Sequence, residues 1–396
     1  MKSKEEHRRD RDTMRQPREI QFAMPWGQMA AQEWGDPSSS RKVLAVHGWM
    51  DNSNTFLKSL TTDGKELYRK LYHRKEQKGV SGILDNGSPA FRYKGMKVLV
   101  SFVNAGSVAK VYRATVEVPI TALVWSELFP LLPADLHIIS VDLSGHGLSS
   151  HRPLGCTYTI LEHAIDLKRL VDDLNWEGFA IIGHSMGAMI SFLLIGLFPK
   201  LVTHFISLDI LTIMGCSLKS LPEVTALSIN SMLTFEKKLG KPPVYKNLDE
   251  IVDRRMNTTP DSLTRESASI IMQRATVDYQ GGVVLRTDPR LKFSRTLNYS
   301  FEDQFEILKR YSGRLLVVRA TGSTPRDSKG LPHDKFIRLY EETCQEFKLV
   351  TVQGSHTVHL DEPEKVLGHV IEFLKTYSGN TVSPSTSCGT GEHAKL

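Results

Sequence analysis

Ser185 stands in Gly183-His184-Ser185-Met186-Gly187, a G-x-S-x-G element between the apolar run GFAIIGHS (178–185) and the apolar stretch MGAMISFLLIGLF (186–198). Glycines on both sides permit an abrupt reversal from strand to helix, which holds a serine hydroxyl proud of a sheet. The helix that follows aims backbone N–H groups at any oxyanion that develops there. A serine hydroxyl is a poor nucleophile until a base takes its proton. A histidine late in the chain, after a last strand, would serve, and Gly354-Ser355-His356-Thr357-Val358-His359-Leu360 follows the strand-like KLVTVQ. His356 is the expected base, with His359 a neighbour of the site or a helix-entry residue. The oxyanion needs a second backbone donor from the loop after an earlier strand. KVLAVHGWMD supplies that loop, with Trp49 offering one N–H and Met186, the residue after the serine, the other. The chemistry of such a set is acyl transfer through a covalent serine intermediate.

These residues need a frame, and strand-like and helix-like stretches alternate through most of the 396 residues. That alternation predicts an α/β fold with a mostly parallel sheet. REIQFAM (18–24) and GQMAAQEWG (27–35) read as a hairpin pair, and KVLAVHG (42–48) as a buried strand. DLHIISVD (135–142), GFAIIGHS, VTHFISLD (202–209), GRLLVVRA (313–320) and KLVTVQG (348–354) complete the strand set. Apolar spacing from Tyr158 through Leu161, Ile165, Leu167 and Leu170 to Leu174 predicts a helix over 157–175, and helical patterns recur around 335–347 and 363–377. Residues 211–310 are polar and helix-prone without strand signals, which predicts a helical cap inserted between sheet strands. Residues 1–18 form a charged tail, and the Ser/Thr/Gly-rich stretch 378–396 a flexible one.

HGWMDNSNTF, VDLSGHGLSSH, IIGHSMG and GSHTVHLDEPE together resemble the α/β-hydrolase fold superfamily, and their wording is similar to the serine hydrolase-like proteins. The resemblance covers about 19–56 and 127–377. It implies an α/β-hydrolase fold with a mostly parallel central sheet, flanking helices and a helical cap. It implies Ser185 as nucleophile, His356 as base, and Trp49 and Met186 at the oxyanion hole, while His47, Asp142, Gly145 and Gly147 match framework positions. Relatives that open epoxides or remove halides attack with an aspartate; the serine here implies hydrolysis of an ester, thioester or similar acyl substrate. The acid departs from the pattern. Where a G-x-x-D would follow GRLLVVRA the chain reads ATGSTPRDS, with Asp327 further out than the pattern expects, and Asp209 ends the preceding strand. Asp209 is favoured because a strand end is rigid, and Asp327 is the alternative.

Residues 57–126 interrupt the resemblance. They hold twelve lysines and arginines against five acids, a charge of +7 that leaves the rest of a +6 chain at −1. They contain two β-like runs, MKVLVSFV and ATVEVPITALVW. An inserted subdomain is one origin; retained intronic or mis-spliced sequence is the favoured one, because local patterning that conflicts with its surroundings argues against foldability. Confinement of the basic charge to this segment argues against a nucleic-acid partner.

Apolar residues at 40% and charged residues at 24% exclude collagenous and wholly disordered classes. No apolar run reaches the roughly 18–20 residues of a membrane-spanning helix. Cys156, Cys216, Cys344 and Cys388 are scattered without a C-x-x-C pair and read as reduced thiols. The histidines lack metal-ligand spacing, so no metal or cofactor is expected. The expected partner is a small acyl substrate, and the competing class is a non-catalytic binding member of the fold, or a form inactivated by the segment 57–126. Ala394-Lys395-Leu396 fits a small-basic-Leu signal for the peroxisomal import receptor, so a peroxisomal pool beside a cytoplasmic one is expected. A fluorescent protein fused to the N-terminus should then give puncta coincident with a peroxisomal marker, and deletion of Ala394–Leu396 should make the signal diffuse; surviving puncta would refute the address.

Overall fold

The computed structural model describes residues 17–56, 90–93, 96–103, 111–116, 129, 132–258, 263–293, 299–323 and 331–379. Asp327, Cys388, the C-terminal tripeptide, residues 1–16 and much of 57–126 lie outside the described residues. The chain divides into two compact units, Met1–Lys58 with Glu127–Leu396, and Ser59–Ser126. In the smaller one, strands β4 (Ala90–Tyr93), β5 (Met96–Val103) and β6 (Val111–Val116) form an antiparallel meander. Its third strand starts before the run ATVEVPITALVW and covers only the opening residues of that run.

The larger unit is built on one sheet, with eight strands among the described residues. These are β1 (Arg18–Met24), β2 (Gly27–Trp34), β3 (Arg41–Val46), β7 (Leu136–Val141), β8 (Phe179–His184), β9 (Val202–Leu208), β14 (Arg314–Ala320) and β15 (Glu346–Val352). Their order is β1-β2-β7-β3-β8-β9-β14-β15, with β1 and β2 antiparallel and the rest parallel. Alternation along each strand splits the core in two. Leu44, Val46, Ile139, Val141 and Ile181 face one layer, shared with helices α1 (Ile160–Asp173) and α2 (Met186–Leu197). Val43, Ala45, Ile138, Ile182 and Leu316 face the other, which includes Val366, Val370 and Phe373 of the helix Glu364–Leu374. Thr159 and Glu162 form a capping box that starts α1, each satisfying the other's backbone N–H.

Between β9 and β14 the chain forms helices α3 (Leu221–Glu236), α4 (Leu248–Thr258) and α5 (Arg265–Ala275), with a small core of Ile251, Val252, Ala268, Ile271 and Met272. Two expectations for 211–310 are corrected. The stretch contains strands: β11 (Thr276–Tyr279) pairs with β12 (Gly282–Leu285), and β10 (Gly215–Cys216) pairs with β13 (Tyr299–Ser300). The hairpin turns at Gln280 and Gly281, both at positive φ, a conformation for which glutamine is an unusual signal. The helix α6 (Phe301–Leu308) is no part of a separate cap core, since Phe301 and Leu308 join the main core beside α2.

A buried ion pair fastens α5 to the sheet. Arg274 donates from Nε to Asp142 at 2.8 Å and from both terminal nitrogens to Glu19. Asp142 is fully buried and also accepts from the N–H groups of Ser53 and Leu148. Gly147 must be glycine here, because a Cβ would lie 2.3 Å from the Asp142 carboxylate. Removing one partner strands the other charge in a dry site. Arg274→Ala should therefore lower stability by roughly 3–5 kcal/mol in urea unfolding, and an unchanged midpoint would show that the pair contributes nothing.

Candidate active site

The strand β8 runs into α2 through Ser185 at φ 51° and ψ −118°, a left-handed conformation that costs a non-glycine residue on the order of 1–3 kcal/mol. The surroundings leave no alternative path. A Cβ on Gly183 would meet the Ala188 backbone at 2.7 Å, and one on Gly187 would meet the Val46 carbonyl oxygen at 2.1 Å. The first turn of α2 is thus seated on the end of β3. Ser185 is buried, and its Oγ donates to His356 Nε2 at 2.8 Å.

His356 follows β15, and its Nδ1 donates to Asp209 Oδ2 at 2.6 Å. A carboxylate accepts only, so the proton sits on Nδ1 and the Nε2 lone pair faces the serine. That tautomer is the one a general base needs. Asp209 lies just past β9 at φ 64°, its N–H bonded to the Val318 carbonyl and its Oδ1 accepting from the Ala320 N–H at 2.8 Å. Burial raises its carboxyl pKa, but bonds from His356, Ala320 and Ser323 outweigh burial and hold it below the ordinary value. Of the two acids considered from sequence, Asp209 meets the histidine, while Asp327 is outside the described residues.

The loop after β3 carries Trp49. Its start is pinned by His47, which is fully buried, donates from Nδ1 to the Gly48 carbonyl and accepts the Leu143 N–H on Nε2. Met50, at φ 61°, donates its N–H to His146 Nε2 at 3.3 Å. The Trp49 indole donates to the Leu291 carbonyl. Because Val46 pairs with Gly183 and touches Gly187, this loop leaves the sheet beside Met186, whose N–H opens α2 without an intrahelical partner. Trp49 and Met186 therefore come from adjoining strand ends.

Several supporting residues had no sequence signal of their own. Asp51 accepts from Arg255 of α4 at 2.8 Å; Asn52 and Asn54 donate to the carbonyls of Ile271 and Ile270 in α5. Asp361 accepts from Thr357 and Ser355 beside the base and from Thr264 at the start of α5. His359 is the second residue of the short helix Val358–Asp361, buried and 4.0 Å ring to ring from His184. Among the described residues no cluster of histidine, cysteine, aspartate or glutamate is arranged to hold a metal ion.

With fold and geometry in view, the relatives can be compared. Residues 119–231 match a family model described as the alpha/beta hydrolase fold. A serine hydrolase-like protein of Danio rerio is 26% identical over 361 residues, covering 91% of this chain and 89% of that protein. A probable serine hydrolase of Drosophila melanogaster is also 26% identical, over 90% of this chain and 87% of that one. A hypothetical protein of Pseudomonas aeruginosa PAO1 superposes with a TM-score of 0.63 at 23% identity, covering 91% and 98% of the two chains. The thioesterase domain from the curacin biosynthetic pathway does so with a TM-score of 0.60 at 18% identity, over 90% and 99%. The chain has the α/β-hydrolase fold. Within it, the serine hydrolase-like proteins are the relatives it resembles.

The histidines around the site carry a pH consequence. Burial, first of all, lowers the pKa of His47 to about 4 and of His146 and His184 to about 3, against an ordinary 6.5. A neighbouring histidine adds to the effect at His146 and His184. Below pH 6.5 the unfolded chain takes up protons that the folded one refuses, so stability must fall as pH falls from 6.5 towards the folded values. Each such histidine contributes up to about 1.4 kcal/mol per pH unit in that window. The melting temperature should drop steadily from pH 6.5 to pH 4.5; a flat profile would mean these rings are solvated.

Proposed function

We propose that the protein is a serine hydrolase that cleaves an ester or related acyl substrate through Ser185, His356 and Asp209. The carrying observation is the continuous chain of hydrogen bonds from Ser185 Oγ through both ring nitrogens of His356 to Asp209. The names of the serine hydrolase-like relatives and the thioesterase neighbour support the same class.

The steps follow from the tautomer. Ser185 Oγ attacks the acyl carbon as its proton passes to His356 Nε2, and Asp209 stabilises the imidazolium that forms. The carbonyl oxygen becomes an oxyanion between the N–H groups of Met186 and Trp49. Collapse expels the alcohol or thiol, which leaves with the proton from Nε2. Water then enters, gives its proton to Nε2, and releases the acid as Ser185 recovers its hydrogen.

A fluorophosphonate probe should label the wild-type protein, and Ser185→Ala should abolish labelling and p-nitrophenyl ester hydrolysis with stability nearly unchanged. His356→Ala should lose about as much, because such groups act as a unit. Asp209→Asn should cost on the order of 10⁴ in rate, since the amide favours the wrong tautomer. Folded wild-type protein that takes no probe would instead support the non-catalytic reading.

A further inference from the structure

His184, the residue immediately before Ser185, is fully buried yet has no part in the proton path described above. Its Nε2 lies 3.0 Å from the backbone carbonyl oxygen of His356. A carbonyl only accepts, so Nε2 carries the hydrogen and the Nδ1 lone pair points the other way. There it faces Asp51 Oδ2 at 3.8 Å and the backbone of Gly48, where a Cβ would stand 2.9 Å from Nδ1. The ring also lies 4.8 Å from that of His356 and 4.0 Å from that of His359, centre to centre. One imidazole thus touches the base loop, the Trp49 loop and the elbow.

The geometry matters because His356 is carried by a loop between β15 and a one-turn helix, and its ring must hold two short bonds at once. A misplacement of about 1 Å in such a group costs on the order of 100-fold in rate. We infer that His184 is a positioning residue: its Nε2–H anchors the His356 backbone so that the His356 ring stays between Ser185 and Asp209. Thr55 packs behind the cluster, with its Oγ1 3.5 Å from His359 Nε2, and Arg255 holds Asp51 on the far side. Among the described residues His184 Nδ1 has no hydrogen-bond partner, so the ring is held by packing and by its Nε2–H bond. The effect on rate rests on the hydrolase reading; the anchoring itself does not.

Two amides separate an anchoring role from simple filling of space. Glutamine places its side-chain nitrogen near the position of Nε2 and can donate to the His356 carbonyl, whereas asparagine is one methylene too short. In the full-length protein, His184→Asn should lower the maximal rate of fluorophosphonate labelling at least tenfold with little change in apparent affinity. His184→Gln should retain the wild-type rate within about threefold. A second readout needs no activity: the proton shared by His356 Nδ1 and Asp209 should give a far-downfield NMR resonance, kept in wild type and His184→Gln and lost or shifted upfield in His184→Asn. Equal labelling and an unmoved resonance in both variants would overturn the inference, as would equal losses in both. Wild type that takes no probe but shows the resonance pattern would refute the hydrolase reading and leave the anchor standing.

Discussion

The left-handed turn at Ser185 is the constraint on which the rest of the site depends. A serine does not adopt φ 51° by preference, so the conformation persists only where the structure around it over-determines it. Here that restraint comes from a parallel sheet on one side and a largely apolar helix on the other, with Gly183 and Gly187 removing the two Cβ atoms that would keep them apart. The same close approach that strains the serine brings the end of β3 against the helix N-terminus. Ser185, Met186 and the Trp49 loop are thus placed by one packing event.

A second device is the use of buried carboxylates as multi-point ties. Asp142 binds the Ser53 and Leu148 N–H groups and Arg274, so a sheet end, two loops and α5 meet on one side chain. Asp51 joins the Trp49 loop to α4 through Arg255, and Asp361 joins the base loop to the start of α5 through Thr264. Asn52 and Asn54 add bonds to the carbonyls of Ile271 and Ile270. Helices α4 and α5 therefore hold the Trp49 loop.

The strands and the main helices were legible because their signals are local. An unbroken apolar run such as Val43–Val46 in a parallel sheet, or the alternation that puts Leu44 and Val43 on opposite layers, is written in consecutive residues. The Gln280-Gly281 hairpin was not legible, since glutamine carries no turn preference and the strands are short. Nor was the membership of Phe301–Leu308 in the main core, which depends on packing against α2 rather than on its own pattern.

For the chemistry, the sequence by itself singled out Ser185 as the candidate nucleophile, because glycines two residues either side of it between a strand and a helix are a local steric requirement. It also pointed to His356 as the candidate base, because chain order places a loop after the last strand. It favoured Asp209 over Asp327 only on the rigidity of a strand end, since nothing local shows which carboxylate faces a histidine 147 residues away. Tertiary structure brought Asp209 to His356, and it set the contacts of His184, Asp51 and Asp361. Each of these acts through a hydrogen bond to a segment remote in sequence, and only the packing of the sheet and its covering helices brings such partners within 3 Å or so of one another.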